Sequence, residues 1–487
     1  MKNIMNKILS ATLSIIMILP VVACSNENED WMMKSTESNN QTSANKDVTT
    51  ITFAVPDIFK VDYNHLQQFN DELISDGYKY QLVIKYIEDN EYSQTLENEL
   101  ENGNVDVAFL GLGNGSNNLI SLINSGLIYN LDEILTSEKG KAVYEAFPKP
   151  LWESVKCNGH IYSIPNTNAD DQGIYAAFNK DYIEYEAIES WDGSIESIFE
   201  IIKNVEWDDE SAPRFQYLLN DFRFEEMIGC EIRNGLLYDY DTMQIVNPLE
   251  SEKFIGFLNV LEQMKSSGFM AKSVSYNANV SYIEAAKNIE NGKFLVLLSS
   301  GEPEEMLFRD NICIKKIRPC LSSRVNGSIG IASNTKNINA VISFMGVLYG
   351  KEKYGNILLY GKQDVDYKLI DGFAVNTDGT DLYDNYLAKL CLNLFINIHP
   401  VKGERYSNNR REEYFSFYDD VIISPFIGFE ADNIEECVIS NDLKGFMNSL
   451  NNKSLDEAVR DYSEILEADG IDEYLSSVRK QWDTYKQ

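Results

Sequence analysis

Seven cysteines and three histidines are the most reactive side chains in this 487-residue sequence, and their spacing restricts what they can do. Cys157, Cys230, Cys313, Cys320, Cys391 and Cys437 are scattered, with no CxxC and no Cys/His pairing at zinc-ligand spacing. Cys313 and Cys320 are close enough to meet in a hairpin; buried free thiols are the other reading. His65, His160 and His399 stand far apart, so a zinc centre or a histidine-based triad has little to build on. HExxH, GxSxG and GxxxxGK[ST] are all absent. The residues therefore argue for no catalytic group, no metal and no cofactor. Cys24 is the exception, because of where it stands.

The first seven residues carry Lys2 and Lys7 and no acid, and an apolar run from Ile8 to Val22 leads to Val21-Val22-Ala23-Cys24. A basic start, a short apolar core and small residues at the cut describe a secretory signal. The run is shorter than the ~20 residues that cross a bilayer. Its end resembles a bacterial lipobox, in which the cysteine is lipidated and becomes the first residue of the mature chain. Each buried lipid CH₂ contributes roughly 0.8 kcal/mol, and two or more acyl chains anchor stably. The expectation is a signal over 1–23 and an extracytoplasmic protein held at the cell membrane by lipid on Cys24.

Asp and Glu number 76 against 42 Lys and Arg, for a formal net charge of −34. That balance argues against nucleic acid and anionic lipid as ligands, because phosphate recognition needs clustered cations. With 44% hydrophobic residues the chain can bury sizeable cores. Residues 24–47 are polar and lack apolar periodicity, as a solvated tether would be. Beyond them the pattern alternates. Ile51–Val55, Gln81–Ile87 and Val105–Leu110 read as strands. Leu66, Phe69, Leu73 and Ile74, then Leu96 and Leu100, recur at helical spacing. This β-α-β-α-β order predicts a parallel sheet with helical crossovers. Open sheets of this kind place ligands beyond the carboxyl ends of their strands, here at Pro56–Lys60 and Gly111–Gly115. Gly111-Leu-Gly-Asn-Gly115 lacks the GxGxxG order of a nucleotide loop and fits a tight turn better. Further on, Ile174–Asn179, Phe294–Leu298 and Ile329–Ala332 read as strands and Tyr238–Asn247 as a hairpin. Ile195–Lys203, Pro248–Gly268 and Asn337–Leu348 read as helices, and Asp432–Gln487 is helix-like and charged.

Several blocks together resemble the extracellular solute-binding proteins, family 1, that deliver carbohydrates to ABC importers. Asn158-Gly-His-Ile-Tyr-Ser-Ile-Pro-Asn166 is similar to the family's Gly-x-x-Tyr-x-Ile-Pro segment, and Asn179-Lys180-Asp181 follows as in the family's crossover. Tyr238-Asp-Tyr-Asp241 with Ile245-Val246-Asn247 resembles a Tyr-x-x-Asp-Gly-x-x-x-x-Asn hairpin, with Thr242 in place of the turn glycine. A calcium loop at Asp239 and Asp241 lacks its glycine and closing glutamate. Ile289-Glu-Asn-Gly-Lys-Phe294 is similar to the family's lead into a buried strand. Leu359–Lys368, Ser424-Pro-Phe-Ile-Gly-Phe429 and Gln481-Trp482 resemble blocks of LipO-like sugar-binding lipoproteins. In the first of these, Gln363-Asp364 stands where relatives often carry Glu-Gly. The likeness runs from about residue 48 to the end.

The resemblance implies an α/β, two-lobe periplasmic-binding-protein-like fold (type II) that closes by hinge motion. The first lobe would hold 48–165 and 325–395, and the second 172–322 and most of 400–487. A sugar presents hydroxyls at its edge and C–H groups on its faces, so its site needs polar forks and planar rings. The candidates are Asp57, Asn114, Trp152, Tyr162, Asn166, Asn168, Asp170 and Ser300, all at strand ends or at the expected crossover. Few cations lie among these segments, which points to a neutral carbohydrate. Aromatic richness and the resemblance favour an oligosaccharide. Peptide is the alternative ligand, and a surface glycoside hydrolase the alternative class. The implied partners are two ABC permease transmembrane subunits, with the chain itself a monomer and no nucleic acid involved. If Cys24 carries the lipid, Cys24→Ala will release the protein to the medium or leave it uncleaved, and it will take up no lipid label. Continued labelling of that variant refutes the anchor.

Overall fold

A computed structural model describes residues 48–110, 118–167, 174–207, 213–218, 227–270, 293–300, 310–317, 320–321, 327–383, 385–402, 410–419, 421–429, 431, 445–450 and 452–486. The first described strand is Thr49–Pro56, whose β-branched and aromatic residues suit a pleated, buried strand. It pairs in parallel with Tyr80–Ile87 on one side and with Val107–Leu110 on the other. Ser328–Ile331 adds antiparallel to Val107–Leu110, and Ser163–Pro165 closes the edge of this five-stranded first sheet.

Both faces of the first sheet are covered, and the side chains alternate accordingly. Ile51, Phe53, Val55, Val107 and Phe109 enter a large core that includes Phe69 and Leu73 and residues of Ile338–Gly350 and Glu352–Tyr360. Ala54, Ala108 and Leu110 face the other way, against Tyr92, Leu96, Leu100 and Leu122. The helix Tyr63–Ser75 starts where the Asp62 carboxylate accepts from the amides of Asn64 and His65, at 2.8 and 3.2 Å. That is an N-cap satisfying two otherwise orphaned donors.

The second sheet runs in the order Ile312–Lys316, Ile174–Asn179, Val296–Ser300, Phe215–Leu218. Ile174–Asn179 is antiparallel to both neighbours, and Val296–Ser300 is parallel to Phe215–Leu218. Ile174, Ala176 and Phe178 enter a second core shared with Ile195–Lys203, Glu252–Ser266 and the C-terminal helices Leu455–Ala468 and Ile471–Tyr485. A three-stranded meander, Cys230–Arg233, Leu236–Asp239 and Gln244–Val246, belongs to the same core.

The return to the first core reaches further along the chain than 395. Val401, Tyr414 and Tyr418 are buried in the first core, so the helix Arg410–Asp419 packs there. Tyr414 and Tyr418, four residues apart, present one face, and Arg411 holds it in place by donating to Asn397 Oδ1 (2.9 Å) and the Glu145 carbonyl (3.2 Å). Phe426 and Phe429 join the second core, while the half-buried Ile427 between them packs against the first. Cys313 is a free thiol, so it forms no disulfide with Cys320.

Two turns place a residue other than glycine in the left-handed region: Met243 (φ +54°) in the hairpin and Asp364 (φ +63°) in the later loop. Asp239 Oδ1 accepts from the amides of Asp241 and Thr242 and from Lys253 Nζ, which also reaches Asp241 Oδ2 at 2.7 Å. An ammonium thus sits between the two carboxylates.

The helices Tyr63–Ser75 and Glu352–Tyr360 are tied by Lys353, which lies 2.5 Å from Glu72 and 2.8 Å from Asp76. Its hydrogen bonds hold both carboxyls below their ordinary values of 4.5 and 3.8. A depressed carboxylate stabilises fully above its unfolded value, and the contribution fades as pH falls through the folded one. Lys353→Met will therefore lower Tm at pH 7, and the gap to the unmodified protein will narrow below about pH 4.5. Calorimetric Tm values between pH 7 and 2.5 check this; a gap that stays constant counts against it.

Candidate ligand-binding cleft

The strands of each sheet end in a way that defines one functional edge. In the first sheet, Leu110 and Pro165 end opposite Ser328, where the returning strand begins. In the second, Ser300 ends opposite Ile174, Leu218 opposite Ser299, and Lys316 opposite Tyr175. The chain passes from Thr167 to Ile174 in seven residues, which span at most ~25 Å when fully extended. That connection bounds how far apart the two edges can lie, and ligands of open α/β sheets bind at such carboxyl ends.

Among the described residues three crossings between the two cores can be followed, with the contacts that hold each. Outgoing, the chain leaves Pro165 under the grip of Asn393. That residue ends the helix Tyr386–Leu392 in the left-handed conformation (φ 56°, ψ 51°), which asparagine tolerates better than most. Its Oδ1 accepts from the Thr167 amide at 2.8 Å and the Thr167 hydroxyl at 3.0 Å, while its Nδ2 donates to the Pro165 carbonyl at 2.9 Å. Asn166 Nδ2 donates to the Leu390 carbonyl at 2.8 Å. All three gripped residues, Pro165, Asn166 and Thr167, are buried. Returning, the chain passes Gly327 (φ +99°), where a Cβ would lie 2.7 Å from Phe109 Cζ, so only glycine fits beside that ring.

The third crossing, Ile422–Ile423, pairs in parallel with Cys320–Leu321 of the return. The segment after it is anchored by a buried cation. Arg233 donates to the carbonyls of Phe429 (2.6 Å) and Phe426 (3.1 Å), pairs with Glu231 at 2.5 Å, and stacks over Tyr238 at 4.4 Å. Ser424 Oγ adds a bond to Glu231 at 3.3 Å. The C-terminal helix completes this anchor. Trp482 Nε1 donates to the Met243 carbonyl at 3.1 Å, and its ring packs on Phe426 and Phe429.

The candidate residues fare differently. Asp57 immediately follows Pro56 at the strand end, is exposed, and accepts from the Asp89 amide at 3.1 Å. Ser300 closes its strand opposite Ile174; its side chain lies outside the described residues, as do Asn114, Asn168 and Asp170. Trp152 is 1% exposed, stacked on Tyr144 at 5.3 Å and edge-on to Phe147, with its Nε1 bound to the Tyr144 carbonyl. Its faces belong to the first core and offer a sugar nothing. Tyr162 precedes its strand, about 10 Å from the edge at 3.3 Å per residue, and packs against the smaller core. Asn166 is fully buried in the clamp. Asn393, which sequence reasoning passed over, organises the exit; its only signal was an asparagine after an apolar helical run. Among the described residues no group of three His, Cys, Asp or Glu side chains is placed to hold a metal, and no helix is long and apolar enough to cross a membrane.

No family model and no curated protein matches the chain. Solved structures do. The N-glycan transport solute binding protein NgtS from Streptococcus pneumoniae superposes with a TM-score of 0.60 at 20% identity, over 90% of this chain and 99% of that one. The same protein in complex with Man1GlcNAc superposes with a TM-score of 0.52 at 19% identity, again over 90% and 99%. This chain has the two-lobe, periplasmic-binding-protein-like α/β fold.

The clamp makes a graded prediction. Asn393→Gly keeps the left-handed backbone but leaves Pro165 and Thr167 without their buried partners, a loss of about 1–3 kcal/mol. Asn393→Ala adds the strain of a left-handed alanine, roughly 1–2 kcal/mol more. Denaturant unfolding will rank unmodified protein above Asn393→Gly and that above Asn393→Ala; equal stabilities would remove the clamp from the account.

Proposed function

We propose that this chain is the solute-binding component of an ABC importer, anchored outside the cytoplasm through Cys24. In this reading it captures a neutral oligosaccharide by lobe closure and presents it to two membrane permease subunits. It binds without turning over its ligand. One observation carries the reading: the fold match spans nearly all of both chains, and the matched protein is by its name an N-glycan transport solute binding protein.

The chemistry of the edge supports it. Asp57 stands exposed at a strand end, where a carboxylate accepts hydrogen bonds from sugar hydroxyls and repels anionic ligands. Asn114, Asn168, Asp170 and Ser300 are proposed to supply further polar contacts. Asn166 is assigned a positioning role through the clamp rather than a contact. The scarcity of cations in these segments favours a neutral sugar over an anionic one, which would want arginines. Lipidation would keep the binder within reach of its permease and raise the effective concentration of the encounter.

A thermal-shift screen against neutral glycans and peptides tests this. A ligand bound only by the folded state at a hundred times its Kd stabilises by about 2.7 kcal/mol. The expected outcome is a higher Tm with one or more oligosaccharides, diminished in Asp57→Ala. Stabilisation by peptides and by no glycan, or release of reducing ends at enzyme-like rates, would overturn it.

A further inference from the structure

Two contacts between the lobes differ in kind, and the difference is informative. Gly428, in the segment after the third crossing, lies against the Lys156 carbonyl of the first lobe. A Cβ there would be 2.9 Å from that oxygen and 2.9 Å from Tyr485 Oη, and the residue has φ +80°. The contact with Lys156 is backbone on backbone. The other contact is adjustable: Lys316 Nζ sits 3.5 Å from the centroid of the Phe417 ring. Lys316 is the last residue of its second-sheet strand, and its register with Tyr175 fixes its backbone to the second lobe. Phe417 lies on the helix Arg410–Asp419, set edge-on to Tyr418 at 5.0 Å and packed on the first core. Each partner's backbone is fixed to its own lobe, so a movement of the lobes that carries Lys316 away from Phe417 stretches or breaks this contact.

We propose that Lys316 and Phe417 form a cation–π latch across the lobes, holding the arrangement seen here and setting how often the protein leaves it. The proposal rests on the lobe-closure reading above but not on the identity of the ligand. The ammonium lies well inside the ~6 Å range of cation–π attraction. Breaking such a contact changes a two-state population on the order of two- to tenfold. The latch lies beside the approaches to the return and third crossings: Ile317 N bonds the Ile174 carbonyl at 2.8 Å, and Ile422 begins three residues after the helix ends. It thus acts on the equilibrium between lobe positions rather than by touching a ligand at Asp57.

The test is the interlobe distance distribution in the full-length mature chain. Genetically encoded labels replace the exposed Glu101 of the first lobe and Glu196 of the second. Lys316→Gln and Phe417→Leu will each shift the population away from the present distance by a similar factor, and together no further than either alone. Lys316→Arg and Phe417→Tyr, which keep the cation and the ring, will retain the original distribution. Far-UV circular dichroism and Tm verify that Phe417→Leu is folded. Unchanged distributions in the two disruptive variants, additive shifts, or Lys316→Arg behaving like Lys316→Gln would overturn the latch. These outcomes leave the glycan screen untouched, so failure of the latch and failure of the carbohydrate reading are separable.

Discussion

The amide of Asn393 is the interaction on which the arrangement of this molecule depends. Its two ends work in opposite directions: the oxygen takes the donors of Thr167 and the nitrogen gives to Pro165. A carboxylate could not donate and an ammonium could not accept, whereas an amide does both from two atoms held in fixed geometry. The left-handed backbone at 393 is what aims the amide at the exit strand, and asparagine is one of the few residues that adopts it cheaply. The helix cap and the crossover clamp are therefore one feature. Without it, buried backbone at 165 and 167 would lie unpaired where the chain leaves the first sheet.

The third crossing is held by other means. There a charged guanidinium, buried to 6% exposure, gathers two carbonyls, a carboxylate and a ring face. Buried ion pairs contribute little net stability against an apolar alternative, but losing one partner leaves an uncompensated charge and is expensive. Geometry is what the pair supplies: Arg233 fixes where Phe426 and Phe429 sit, and the C-terminal helix then packs Trp482 and Tyr485 on those rings. The last helix of the chain thereby becomes part of the lobe junction, and Arg479 Nε ties it to the edge strand Gln244–Val246 by donating to the Ile245 carbonyl at 2.6 Å.

Much of the architecture was legible because periodicity reports burial. The alternation in Thr49–Pro56, split between Phe53 on one face and Ala54 on the other, announces a strand covered on both sides, and it is one. Allocation between lobes was less legible. Nothing in the pattern of Arg410–Asp419 says which core its tyrosines enter, since both cores accept the same apolar face. The site was least legible of all. Trp152 has the composition of a sugar platform, yet two aromatic neighbours from the same stretch of chain, Tyr144 and Phe147, take its faces. Asn166 looks like a hydroxyl fork, yet its partner is a carbonyl 224 residues away. Long-range pairing decides whether a polar residue at a crossover binds ligand or backbone, and single-sequence spacing does not carry it.

The clamps also bound where lobe motion can arise. The outgoing chain is fixed to the first lobe through Thr167 and enters the second sheet at Ile174. The return is fixed to the second sheet through Ile317 and to the first from Ser328. The third still packs on the first core through Val421 and is anchored to the second by Ser424. Because Cys320–Leu321 and Ile422–Ile423 are hydrogen-bonded in parallel, the return and third crossings form one ribbon. A paired ribbon resists sliding of one strand past the other, since sliding breaks its ladder, whereas bending and twisting keep it intact. Shear of the lobes is thus disfavoured, and rotation about the ribbon is the motion the fold leaves open. Rotation changes the separation of the two strand-edge surfaces, and a small angular change at the ribbon becomes a large displacement far from it.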